Sequence, residues 1–244
     1  SMARILASLL TIVALAAGLA YGTNAFFTDT ERSSGNAYTA GALDLTVGAD
    51  GYYNGVFQEA LSWLSTDLDN DMLFYQFNDV KPGDWGEHTI ELVIEDNAAW
   101  VCADVSQTEN DDVTCTDPEG VDDPTCAEPG VGQGELAAEL SYLWWVDDGD
   151  NVLEGGEEII ERGTLGSSTS IALADASGSI ADGPLAPGTP HFVGAAWCHG
   201  TLTSAPVASG DHSPTDVRGF FCDGTLISNA AQTDVAAFDV TFRA

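Results

Sequence analysis

Asp147-Asp148-Gly149-Asp150-Asn151, followed by Glu154, Glu157 and Glu158, gathers oxygen-bearing side chains around one tight turn. Hard cations such as Ca²⁺ take six to eight oxygen ligands from flexible loops, often with a late bidentate Glu. Asp147, Asp150, Asn151 and Glu157 are therefore a candidate calcium set. The spacing is not that of an EF-hand, because Val152 falls where a further oxygen is required. A solvated acidic hairpin explains the same letters, and the sequence leaves both readings open. Asp67, Asp69 and Asp71 form a second acidic knot: in a strand they share one face, and in a loop they can chelate. Asp104, Glu109, Asp111 and Asp112 form a third, looser grouping.

Catalytic chemistry finds less support. The four histidines are His88, His191, His199 and His212, and none is paired in a His-Glu-x-x-His helix. There is no Cys-x-x-Cys pair and no Gly-x-Ser-x-Gly elbow. The expectation is a protein that is not an enzyme.

The elements that carry these residues are set by an unusual composition. Asp and Glu number 39 against 6 Lys and Arg, for a net charge of −33. Such a surface repels nucleic acid phosphate and anionic membranes. It suits solution in very high salt, where charge is screened over about 3 Å at 1 M, and so points to a halophilic source. Residues 5–21 are apolar and follow Arg4, which reads as a signal peptide ending near Ala25 or as a retained hydrophobic helix. The expected location is secreted, at the cell surface, with membrane contact only through that segment during export. Five cysteines in an exported chain suggest disulfides. Cys198–Cys222 and Cys115–Cys126 are the favoured pairs, with Cys102 left over, although spacing alone does not decide it. No Asn-x-Ser/Thr sequon occurs.

Beyond residue 41 the chain reads as strands between close turn signals, an antiparallel sandwich pattern. Strands are expected at 42–47, 72–77, 88–94, 100–105, 142–146, 157–162, 169–173, 192–198 and 235–243. Residues 51–65 read as irregular or partly helical, and 135–140 as one or two helical turns. Residues 107–134 carry Pro118, Pro124 and Pro129 and too few apolar side chains for a core element. The expected layout is a leader at 1–25, an N-terminal segment at 26–41 and a β-sandwich at 42–244 with an acidic insertion at about 106–134.

The junction GTNAFFTDTERSSGNAYTAGALDL (22–45) carries a family resemblance. It resembles the camelysin/TasA pattern G-T-x-A-x-F-x-D-x-E-x-S-x-G-N-x-(F/Y)-x-A-G-x-L-D-L, with Asn24 at a position that is often aromatic. VKPGDWGEHTIEL (80–92), DNAAWVC (96–102), WWVDDGDNVLEGGE (144–157) and NAAQTD (229–234) extend it along the chain. The resemblance implies an all-β, jelly-roll-like antiparallel sandwich with long acidic loops, preceded by an N-terminal hydrophobic signal helix. It implies an extracellular filament or biofilm matrix subunit whose N-terminal strand completes the sheet of the next copy. The donor would begin at Phe26-Phe27-Thr28-Asp29-Thr30, and the partner is the protein itself. Alternatives are a monomeric secreted calcium-binding surface protein and, from the family's name, a secreted protease.

Overall fold

The computed structural model describes Met2 and residues 43–69, 71–175 and 178–244. The chain divides into Ser1–Ala40 and Gly41–Ala244, and the fold below is that of the second unit. The expected leader (1–25) and donor segment (26–41) lie outside the described residues. No helix among the described residues is long and apolar enough to cross a membrane.

The large sheet begins with β1 (Asp44–Tyr53), β2 (Val56–Phe57), β3 (Trp63–Thr66) and β4 (Trp85–Glu95). It adds β6 (Leu140–Asp147), β7 (Ile159–Thr164) and β10 (Pro190–His199). Its order is β2-β1-β4-β10-β6-β7, with β3 also against β1. The small sheet holds β5 (Val101–Asp111), β8 (Thr169–Asp175), β9 (Gly178–Ser179) and β13 (Val235–Arg243), in the order β13-β5-β8-β9. A separate hairpin joins β11 (Thr201–Ser204) and β12 (Phe220–Asp223). Every strand pair in these sheets is antiparallel. One-turn helices α1 (Glu119–Asp122) and α2 (Leu136–Glu139) flank the route from β5 to β6.

Strand alternation explains the core. Ile90, Leu92 and Ile94 of β4, Tyr142 and Trp144 of β6, and Val193 and Ala195 of β10 share one cluster with Val101, Ala103, Ile171 and Leu173 of the small sheet. The intervening residues Trp85, Leu143, Trp145, Ala196 and Cys198 form a second cluster with Leu153 and Phe220. The central strands of the large sheet are thus covered on both faces. That is why LSYLWWVD (Leu140–Asp147) is apolar almost without interruption. Trp145 lies flat over Gly194, where an added Cβ would meet its ring at 2.0 Å.

Several elements differ from the sequence reading. Residues 72–77 are not a strand: Phe74 is 6 % exposed and plugs the core, its ring 5.0 Å from Trp63 and 5.8 Å from His88. An aromatic plug and a buried strand leave the same apolar letters. Residues 51–65 are partly helical, with one 3-10 turn at Glu59–Leu61, but otherwise mostly extended, because Asn54-Gly55, at φ 48° and 76°, makes a two-residue hairpin turn between β1 and β2. β5 continues through polar Asp111, since β13 supplies its backbone partners up to Val235–Asp111. The insertion therefore starts at Asp112. The β11–β12 hairpin was not expected, whereas residues 235–243 form a strand with the expected ends.

Candidate functional site

Two features stand out: the acidic turn after β6, and the free edge of the small sheet.

The acidic turn is built by backbone demand. Trp145 and Asp147 sit on the outer face of β6, and the chain reverses with Gly149 at φ 107° and Asn151 at φ 61°. Asp147, 6 % exposed, accepts N–H bonds from Trp145 Nε1 at 3.1 Å, Gly149 at 3.0 Å and Asn151 at 3.1 Å. Burial pushes its carboxyl up to about 6, against the downward pull of those donors. Asp150 Oδ1 accepts from Val152 N at 2.9 Å, and Glu157 Oε2 from Glu154 N at 2.7 Å. Burial likewise pushes Glu157 up to about 7. The return of the turn is pinned from outside. Gly155 N bonds to Val207 O at 2.7 Å, Val207 N to Leu153 O at 3.1 Å, and Leu153 N to Arg218 O at 3.2 Å. Glycine is required at Gly219, where a Cβ would lie 2.0 Å from Leu153 O.

Of the residues singled out as a calcium set, the structure brings Asp147 and Asp150 together, and Asp148 joins them. One oxygen from each lies within 4.8 Å of the others. Glu157 is an electrostatic neighbour of Asp147 and Asp148. Asn151 is 1 % exposed, and neither side-chain polar atom has a hydrogen-bond partner. Asp147 is largely committed to closing the turn, which is the acidic-hairpin reading.

Asp67, Asp69 and Asp71 are exposed and lie past the end of β3, not within a strand. Asp69 Oδ1 accepts from Asp71 N at 2.9 Å, an ordinary Asx turn. They form no metal-sized group among the described residues. Cys115 is bonded to Cys126 and Cys198 to Cys222, while Cys102 is free. The second bridge ties β10 to β12 and closes the outer-face cluster. Phe26, Phe27, Thr28, Asp29 and Thr30 lie outside the described residues.

The sequence reading missed Glu87. It lies on the outer face of β4 at 0 % exposure, with neither carboxylate oxygen hydrogen-bonded. Burial pushes it up to about 9; Arg218 pulls it down and Asp147 pushes it up. The Arg218 guanidinium stacks 4.3 Å from the Trp85 ring and donates from Nε to Phe220 O at 3.0 Å. Next to Glu87 in sequence, His88 faces the opposite way. Burial lowers it to about 3, and it packs edge-on against Tyr75 at 5.2 Å, a neutral core histidine.

The free edge is the outer side of β13. Among the described residues this strand pairs with β5 alone. Phe238, Val240 and Phe242 pack half-buried against the core, and the strand contains neither Lys nor Pro. Beside its C-terminal end opens a groove of about 270 Å³ lined by Leu43, Leu45, Val47, Leu68, Phe242 and Ala244. It lies where β1 enters the large sheet and β13 leaves the small one.

No protein-family model matches the chain, and a search of curated proteins finds no match.

Proposed function

We propose that the chain is a secreted structural subunit of an extracellular filament or surface matrix, of the camelysin/TasA type. In this reading the antiparallel sandwich is jelly-roll-like and residues 1–25 are an export signal. Assembly is head-to-tail: residues 26–41 of one copy pair with the outer edge of β13 on the next. Such a heterologous contact does not close, so it propagates as a fibre. The observation that carries the reading is the nine-residue edge of β13, which has no second strand partner among the described residues and lies beside the Leu43–Leu45–Phe242 groove. Long edges recruit another strand unless charge, Pro or a covering segment guards them, and the charged residues of β13 are Asp239 and Arg243. Phe26 and Phe27 are the anchors for the groove, each contributing about 1.5–3 kcal/mol if fully buried. Copies of charge −33 repel one another, so assembly requires molar salt or a bridging cation. No catalysis belongs to this reading.

Sedimentation in molar salt tests it. The chain lacking residues 1–25 is expected to pellet as polymer. Deletion of residues 26–30 and the edge substitution Thr241→Lys are each expected to leave soluble monomers with an unchanged melting temperature. Polymer that survives both changes contradicts strand donation at β13.

The second reading, a monomeric secreted calcium-binding surface protein, draws on the convergence of Asp147, Asp148 and Asp150. Monomers in molar salt that bind Ca²⁺, with binding lost in Asp148→Asn/Asp150→Asn, would favour it.

A further inference from the structure

Away from the acidic turn, a different group of carboxylates converges at the base of the insertion. Asp112 follows the last residue of β5, Glu119 opens α1, and Asp234 precedes β13. One carboxylate oxygen from each lies within 4.8 Å of the others. Two oxygens bound at about 2.4 Å to one ion can be no further apart than that.

Acid clusters are common in this chain, but this one has a feature that the exposed ones lack. Asp112 is 4 % exposed, and neither of its oxygens has a hydrogen-bond partner. Its carboxylate faces the two others. Glu119 is 0 % exposed and is oriented by Thr116 N at 2.9 Å and the Thr233 hydroxyl at 3.3 Å. Asp234 Oδ2 accepts from Glu135 N at 2.6 Å and Leu136 N at 3.1 Å, while its Oδ1 has no partner. Glu135 adds a further unpartnered oxygen, Oε2, and its charge neighbours include Asp112 and Asp234. The ion pairs of the described Lys and Arg residues lie elsewhere, Lys81 with Asp79 and Arg243 with Asp104. A buried carboxylate facing other carboxylates is unfavourable unless a cation joins them.

We infer that Asp112, Glu119 and Asp234, with Glu135 beside them, bind a divalent cation of the calcium class. The ligand set is all oxygen and drawn from three separate elements, as a hard cation requires. The ion acts as a staple. It fastens the insertion, already closed by Cys115–Cys126, to the ends of the β5–β13 pair. This site is independent of polymer formation.

Calorimetric titration of the disulfide-bonded full chain with CaCl₂ in constant molar NaCl tests the inference. The expected result is one saturable binding event that Asp112→Asn/Asp234→Asn weakens at least tenfold. The charge-matched surface pair Asp67→Asn/Asp69→Asn leaves it unchanged. No saturable event, or equal losses in both variants, overturns the inference. Should the double variant fail to fold, proteolysis of the wild-type protein decides. Ca²⁺ is expected to slow cleavage within residues 113–133 at least tenfold relative to chelator, and equal rates overturn the site.

Discussion

The outer face of the large sheet and the base of the insertion both bury carboxylates, and they deal with them differently. On the outer face, Asp147 accepts three N–H bonds, and Glu87 lies near Arg218 with its carboxyl pushed up by burial. At the base of the insertion, Asp112 has no donor and its neighbours are acids. Each region brings three carboxylates to within metal-binding distance of one another, and they differ in how many hydrogen-bond donors meet those acids. The run 147–158 is rich in acid, and hydrogen-bond donors meet Asp147, Asp150 and one oxygen of Glu157, while Glu157 Oε1 and the Asn151 side chain have no partner. Asp112 is one letter in a polar stretch and is left without any donor.

This contrast can be broken at several points. The largest effect is expected at Trp145→Ala, because the outer face carries a genuine second core. Removing a fully buried Trp should cost about 3–5 kcal/mol in denaturant unfolding. A loss below about 1 kcal/mol would reduce that face to surface decoration.

Next comes Glu87, whose folded value of about 9 lies above the ordinary glutamate value of 4.5. Between those limits the group is protonated when folded and ionised when unfolded. Its contribution is thus fully present below about 4.5 and is lost as pH rises to 9, at about 1.4 kcal/mol per pH unit. Glu87→Gln should flatten that part of the stability–pH curve. An unchanged slope would mean that Arg218 keeps Glu87 ionised.

Asp147→Ala should destabilise by about 1.5–3 kcal/mol through the lost turn bonds, and should leave the calcium titration unchanged. A loss of calcium binding would move the cation site to the turn. The smallest effect is expected for the exposed Asp67→Asn and Asp69→Asn, each within about 0.5 kcal/mol by thermal melting in molar salt.

The all-β class, the strand at 235–243 and the turn at α2 were legible because alternation and turn chemistry are local signals. Asn54-Gly55 was an equally local hairpin signal and was overlooked. Residues 72–77 misled because an aromatic plug and a buried strand draw on the same residues. The base of the insertion was not legible at all. Asp112, Glu119 and Asp234 meet only once β5 and β13 pair and the 115–126 loop closes, and Asp234 lies far along the chain from the other two. Glu87 was hidden for a related reason. Its burial comes from the 205–224 segment folding over a strand face that is open in a simple two-layer sandwich.

Strand donation to β13 is the central claim, and cryo-electron microscopy of the chain lacking residues 1–25, in molar salt, tests it most directly. The account predicts a fibre in which density from a neighbouring copy, beginning at Phe26-Phe27, runs alongside residues 235–243 and seats an aromatic ring in the Leu43–Leu45–Phe242 groove. Dispersed globules, or a fibre in which β13 has no added strand, would contradict it.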